Sequence, residues 1–130
     1  MKSVNSTKGA PHLLTRKGKG WFLRPARHAR SRWDRFMGLM GENPPAFTYG
    51  LVFHLEKSSI VGASIHMLFM RMPIDVIWMD NQQKIVEWKT NIPPWSLNHS
   101  PRVPASYIVE LPAGTIHRAQ EFREGQPIEW

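Results

Sequence analysis

The chain has 130 residues, 42% of them hydrophobic, and it contains no cysteine. This length predicts one domain with a core of its own. The composition excludes a disulfide framework, a zinc–thiolate site and a cysteine nucleophile. No apolar run reaches about 18 residues and the start lacks a signal-peptide pattern, so we expect a cytoplasmic protein with no membrane partner.

The positive charge is concentrated at the N-terminus. The net charge is +7, but residues 1–35 contain ten Lys or Arg and one Asp, while residues 36–130 contain seven Lys or Arg and nine Asp or Glu. A basic segment of this kind either binds nucleic acid or anionic surfaces by counterion release, or is a solvated leading segment of the chain. We therefore divide the chain into a basic arm or edge strand, 1–19, and a single globular domain, 20–130.

The first elements in chain order are a hairpin and a helix. Short apolar pairs on either side of the turn-rich segment 16–20 predict two short strands. Apolar residues then recur at helical spacing, and Gly41 with Pro44 and Pro45 predicts the helix end. The residues of this apolar stripe are Ala29, Trp33, Phe36, Met37 and Met40.

The middle of the chain has the period of β-strands. Residues 49–56 alternate, which predicts a half-buried strand with its odd-numbered residues on one face. The apolar run 76–79 predicts a central strand, and the turn at 80–83 returns the chain into a hairpin partner, 84–89. A small-residue crossing separates the first two of these strands.

The last third begins with a proline-rich loop. Four prolines within residues 91–105 exclude a central strand or a helix interior there. Alternation over 106–111 predicts a strand with Ile108 and Glu110 on one of its faces. A short helix is predicted to start near Thr115, and 127–130 is a closing strand. The sum is an α+β, β-dominated fold with roughly six to eight short strands and two short helices.

Several blocks together resemble one family, domain-of-unknown-function family 192. The blocks are GLM in 38–40, IHMLFMRMPID in 65–75 followed by Asp80, and ELPAG in 110–114. The resemblance covers about residues 20–130. It implies a compact β-rich fold with a strongly curved, barrel-like sheet, and it implies no established activity, substrate or cofactor.

The family pattern can be carried over residue by residue, with departures. Met67 stands where many relatives have Thr, Gln126 stands where Asp is usual, and the Cys often found before the His is absent. Chemistry that relies on those groups is not expected here. The matching positions are Arg35, Gly38, Leu39, Met40, His66, Met70, Arg71, Pro73, Ile74, Asp75, Asp80, Glu110, Leu111, Pro112, Ala113 and Gly114.

Polar residues within the apolar block 64–80 have two interpretations. In the structural one, Arg71 pairs with Asp75 and His66 hydrogen-bonds beside them, because an unpaired buried charge is costly. In the functional one, they form the polar floor of a pocket for a small ligand or peptide, roofed by the proline-rich loop. Trp95 and Glu110 complete that candidate pocket.

Catalytic and metal sites receive less support from the sequence. A small hydrolase-like enzyme using Asp75 and Glu110 is an alternative that requires both carboxylates in one cleft. In a structural interpretation, Glu110 would instead be favoured by the N-terminus of the helix after Pro112. We assign no metal and no cofactor, because the available ligands lack a ligand spacing. Those ligands are His54, His66, Asp75, His99, Glu110 and His117.

A nucleic-acid-binding protein is the second function considered. It would use the basic segment and the exposed face of the first helix, with one aromatic residue stacking on bases. The sequence thus favours a small non-enzymatic binding or accessory module, and leaves nucleic-acid binding and catalysis as alternatives. The candidate nucleic-acid contacts are Lys17, Lys19, Trp21, Arg24, Arg27, Arg30 and Arg32.

Overall fold

The computed structural model describes residues 12–31 and 38–130. These residues form a β-dominated fold with one 3₁₀ turn, Pro44–Ala46, and one short helix, α1, Thr115–Arg118. Within them, no helix is long and apolar enough to span a membrane. The strands are β1 Leu14–Lys17, β2 Gly20–Leu23, β3 Ala26–Ala29, β4 Gly50–Ser59, β5 Ile74–Met79, β6 Ile85–Ile92, β7 Ala105–Pro112 and β8 Ile128–Glu129.

The strands form two sheets. The smaller has the order β1-β2-β8 and the larger the order β3-β4-β7-β5-β6. Neighbours are antiparallel except for β2 with β8 and β3 with β4, which are parallel. Within the described part of the chain, β3 and β6 are free edges of the larger sheet, so the predicted barrel-like closure is not found.

Most predicted strands are present. The hairpin predicted at 76–79 and 84–89 is formed by β5 and β6, although two register shifts interrupt their pairing. The predicted helix is corrected at its start, because Ala29 ends β3, paired to Phe53 of β4. Of the rest of its apolar stripe, Trp33, Phe36 and Met37 lie outside the described residues and Met40 lies in a turn. Among the described residues, only the second predicted helix, near Thr115, is therefore seen.

Alternation along the strands gives the larger sheet two buried faces. One face carries Phe53, Val76, Trp78, Ile108 and the other apolar residues of the first core cluster. The opposite face carries the second cluster, which also includes buried side chains of the smaller sheet and of α1. Both faces of β5 are buried, as the unbroken apolar run predicts, because a sheet covered on both sides needs apolar residues at every position.

Two glycines allow the smaller sheet to dock. A Cβ on Gly20 would lie 2.2 Å from the carbonyl oxygen of Pro127, at the point where β2 meets β8. A Cβ on Gly50 would lie 2.8 Å from a methyl carbon of Leu23. Neither position has room for a side chain, so glycine is required by close approach of neighbouring atoms.

Candidate functional site

A cavity opens on the first face of the larger sheet. It has a volume of about 120 Å³. This is well below the roughly 300–1,000 Å³ of pockets for drug-sized ligands, and similar to the roughly 150 Å³ cavity that accommodates benzene. The residues that line it are Gly38, Leu39, Met40, Phe53, Leu55, Gly62, Ser64, Ile65, His66, Met67, Met70, Ile108 and Glu110.

The outer wall of the cavity is the segment 62–70, which has little regular structure of its own. Backbone hydrogen bonds hold it in place: Ile65 pairs with His99, and the Met67 carbonyl accepts from the Trp95 amide at 2.7 Å. The buried indole N–H of Trp78 donates to the Ala63 carbonyl at 2.7 Å. The sheet and the proline-rich loop therefore fix this wall from two sides.

Glu110 is the buried acidic residue of the cavity wall. It is 7% exposed and follows Ile108 on the same face of β7, as the alternation predicted. Within the described residues, no hydrogen bond or ion pair to its carboxyl group is found, and desolvation by burial alone raises the pKa of Glu110 to about 8. The group is therefore mostly a neutral acid at pH 7, which can both donate and accept a hydrogen bond.

The other polar groups at the cavity are His66 and Ser64. The Nδ1 of His66 accepts a hydrogen bond from the Leu68 amide at 3.2 Å, which places the proton of the neutral ring on Nε2. The Ser64 hydroxyl donates to the Ile60 carbonyl and contacts the Ser100 hydroxyl at 2.7 Å. Glu110 is thus the buried polar group left to meet a ligand, with a ring N–H at the rim.

Asp75 is fully buried away from this cavity. Its carboxylate accepts hydrogen bonds from the backbone amides of Asn91 at 2.9 Å, Gly114 at 3.2 Å and Ile116 at 3.0 Å. Burial nevertheless raises the pKa of Asp75, while these three bonds act in the opposite direction. The carboxylate that faces the start of α1 is therefore Asp75, and the expectation that Glu110 does so is wrong.

The register of β5 and β7 separates the two carboxylates. Asp75 lies opposite Leu111, and Val76 lies opposite Glu110. Residues directly opposite each other in an antiparallel pair project from the same face, and consecutive residues project from opposite faces. Asp75 and Glu110 therefore belong to opposite faces of the sheet, which contradicts a shared catalytic cleft.

Arg71 and Trp95 also lie away from the cavity lining. Arg71 is exposed, and among the described ion pairs none joins it to Asp75, so the expected lock is made by backbone amides instead. Trp95 is 60% exposed and packs on Phe69 with ring centroids 5.1 Å apart. Of the five predicted pocket residues, the structure brings only His66 and Glu110 together at the cavity.

The histidines do not converge with the acidic residues. Within residues 12–31 and 38–130, no three His, Asp or Glu side chains are grouped as metal ligands. His28 and His54 form a pair, with Nδ1 and Nε2 2.8 Å apart. Burial, assisted by the charge of Arg30, lowers the pKa of both histidines. Sequence reasoning did not predict this pair, because it depends on the parallel pairing of β3 with β4.

The predicted nucleic-acid contacts have mixed surroundings. Trp21 is 4% exposed and its indole N–H donates to the Gln126 amide oxygen, so it cannot stack on a base as predicted.

The predicted basic contacts differ in how far they are engaged within the protein. Lys17 forms an ion pair with Glu129 at 2.8 Å. The guanidinium groups of Arg24 and Arg27 lie over aromatic rings. Those rings belong to Phe22 and Tyr49, respectively. Lys19 and Arg30 are exposed, and Arg32 lies outside the described residues.

Sequence reasoning missed most of the apolar cavity lining. The apolar lining residues that it missed include Phe53 and Leu55 of β4 and Ile65, Met67 and Met70 of the outer wall. The alternation of β4 identifies its two residues as inward-facing. No sequence pattern indicates that the wall stops short of the sheet and leaves a space, because that depends on how the loop segments pack.

The described residues therefore define a small β-rich domain with a mostly apolar cavity whose lining includes the buried carboxyl group of Glu110. The family model of DUF192, described as uncharacterized ACR, matches residues 14–130. A UPF0127 protein from Thermococcus kodakarensis is 40% identical over 114 residues, covering 88% of this chain and 69% of that protein. A UPF0127 protein from Pyrococcus furiosus is 41% identical over 96 residues, covering 74% and 78%. The chain belongs to this uncharacterised family.

Solved structures share the fold. A protein of unknown function from Novosphingobium aromaticivorans superposes with a TM-score of 0.77 at 19% identity, over 90% of this chain and 82% of that one. A Sinorhizobium meliloti protein, provisionally named a transcription regulator, has a TM-score of 0.69 at 26% identity, over 77% and 76% of the two chains. The first likeness shows the fold alone, and neither assigns a function to this chain.

Proposed function

We propose that this protein is a small, non-enzymatic, cytoplasmic binding module whose cavity takes one small ligand, or one side chain of a peptide. The observation that carries the proposal is a carboxyl group, Glu110, which is 7% exposed on a mostly apolar cavity wall. Among the described residues this carboxyl group has no hydrogen-bond partner, yet no fully buried side-chain polar atom lacks one, so its oxygens reach the space of the cavity. Desolvation of a carboxyl group without a partner is unfavourable, so such a group needs a reason to be retained. A ligand that bonds to it would supply that reason.

The size and lining of the cavity limit the ligand. A volume of about 120 Å³ admits a group of about the size of benzene, with an apolar body toward Phe53, Leu55 and Ile108. One polar head would meet Glu110. Burial of the apolar body supplies the affinity, and the single polar group sets the orientation, as in ligand sites generally.

Two probes with the same four-carbon chain, n-butanol and n-butylamine, test this proposal. We expect at least one to cause saturable amide shifts in NMR spectra, concentrated at the cavity segments 62–67 and 38–40. Filling the cavity with Leu55→Trp should weaken that binding at least tenfold, because the indole occupies the space. The matched control Leu97→Trp, at an exposed leucine outside the lining, should not weaken it.

Two outcomes would overturn the proposal. One is the absence of saturable shifts with either probe. The other is a set of shifts centred on the exposed Phe69–Trp95 pair and unaffected by Leu55→Trp. Melting curves of both tryptophan variants show whether each one is folded before its affinity is compared.

We also propose nucleic-acid binding as a second candidate, favoured by the exposure of Lys19, Arg24 and Arg27 in the basic N-terminal segment, residues 1–35. The provisional name of the Sinorhizobium meliloti protein is in line with it. The double variant Arg24→Ala/Arg27→Ala should weaken binding to a labelled single-stranded 20-mer about tenfold in 50 mM salt and reduce the salt dependence. The control Lys89→Ala removes one positive charge from β6, outside the basic N-terminal segment, and should leave the affinity nearly unchanged. Equal affinity of both variants, or no binding by the wild type, would exclude this candidate.

A further inference from the structure

The chemical environment of Glu110 defines the class of ligand more narrowly than size does. Among the described residues that line the cavity, Glu110 and His66 are the titratable ones, and none is Lys, Arg or Asp. Among these described residues, an anionic ligand would therefore meet a carboxyl group and no Lys or Arg side chain. A ligand that carries hydrogen-bond donors or a positive charge would instead bind to the Glu110 carboxyl group.

The remaining polar groups do not compete for that partner. The Ser64 hydroxyl is engaged with Ile60 and Ser100, and His66 is oriented by the Leu68 amide. Met67, Met70 and Phe53 line the same space. Thioethers and aromatic rings are polarizable, so these side chains tolerate an alkyl chain next to a charged head. The lining is thus complementary to a short apolar chain that ends in a donor group.

We propose that the cavity binds a small primary amine, held as an alkylammonium ion against the Glu110 carboxylate with its alkyl chain on Phe53, Leu55 and Ile108. This inference rests on the proposed binding function and specifies its ligand class. The ammonium supplies up to three N–H donors to a carboxyl group that has no donor among the described residues. Binding of the ammonium also converts the buried neutral carboxylic acid of Glu110 into one half of an ammonium–carboxylate ion pair.

Proton linkage gives this ligand class a distinct signature. Because burial raises the pKa of Glu110 to about 8, the carboxylate is a minority form below that pH, and amine binding must displace a proton. An alkylammonium keeps its proton up to about pH 10, as lysine does. The affinity for the amine should therefore rise with pH, by up to about 100-fold between pH 6 and pH 9, whereas the affinity for the alcohol should not.

The experiment compares n-butylamine, n-butanol and n-butyrate by NMR titration of the full chain at pH 6 and pH 9. At pH 9 we expect n-butylamine to bind at least tenfold more tightly than n-butanol, and n-butyrate to bind most weakly. Glu110→Gln should abolish the preference for the amine and retain binding of the alcohol. His66→Gln should keep the pH dependence, because Glu110 is the group that titrates.

The outcomes separate this inference from the proposed function. If n-butanol binds in the cavity but n-butylamine binds no more tightly at pH 9, the ligand class is wrong and the binding function stands. The same conclusion follows if Glu110→Gln keeps the preference for the amine. If neither the alcohol nor the amine binds, the binding function falls and the inference falls with it.

Discussion

Replacing Glu110 by Gln is expected to raise the free energy of unfolding by about 3 kcal/mol at pH 7, and to change it by less than about 1 kcal/mol at pH 4. In the native protein the carboxyl group keeps its proton up to about pH 8, whereas the unfolded chain releases it near the ordinary value of 4.5. Between these two values the unfolded state binds fewer protons than the native state. The stability of the wild type therefore falls as the pH rises through this window.

Glutamine removes this loss because it is neutral at every pH and similar in size to the protonated acid. Urea denaturation of both proteins at several pH values measures the difference, and other titrating groups contribute equally to each. Glu56→Gln, at an exposed position of β4, is the matched control and should change the stability by less than about 0.5 kcal/mol. A variant that is less stable than the wild type at pH 7 would show that the carboxylate has a stabilising partner.

Replacing Asp75 by Ala is expected to cost about 3 kcal/mol or more, and to leave the C-terminal part of the fold poorly ordered. The change removes the acceptor of three backbone amides, those of Asn91, Gly114 and Ile116, in a fully buried position. Each buried donor without a partner costs about 1–3 kcal/mol. Asp75→Asn, which retains one oxygen acceptor, should cost less than the alanine variant.

The control for this prediction is Asp80→Ala. Asp80 accepts from the Gln82 and Lys84 amides in the exposed turn between β5 and β6, so its loss should cost only about 1 kcal/mol. Equal effects of the two alanine variants would mean that burial adds nothing to the role of Asp75. Thermal and urea unfolding provide the comparison.

The period of the hydrophobic residues predicted the strands well, because alternation depends only on which face of a sheet is buried. It placed Ile108 and Glu110 on one face of β7 and identified the hairpin of β5 and β6. It gave no information about parallel pairing, so β3 was missed and its last residue, Ala29, was taken for the start of a helix. Parallel partners are distant in sequence, and no turn between them indicates the pairing.

The candidate site was only partly predicted from the sequence, because closeness in sequence does not decide which side chains meet in space. His66, Arg71 and Asp75 are close in sequence, and proximity suggested one cluster. In the structure, Asp75 instead lies in the interior strand β5 and projects toward the second core cluster. His66 lies in the outer wall and lines the cavity on the opposite face of the sheet. The stronger sequence signal was a single charged residue, Glu110, at an inward-facing strand position.

The most direct test of the proposed site is an NMR titration of the Glu110 side-chain carboxyl carbon, in the free protein and with saturating n-butylamine. We expect a pKa near 8 in the free protein, and a clearly lower pKa when the amine is bound, because the ammonium favours the carboxylate. A carboxyl group that titrates near its ordinary value of 4.5, with no response to the amine, would contradict both the buried carboxyl group and the site built around it.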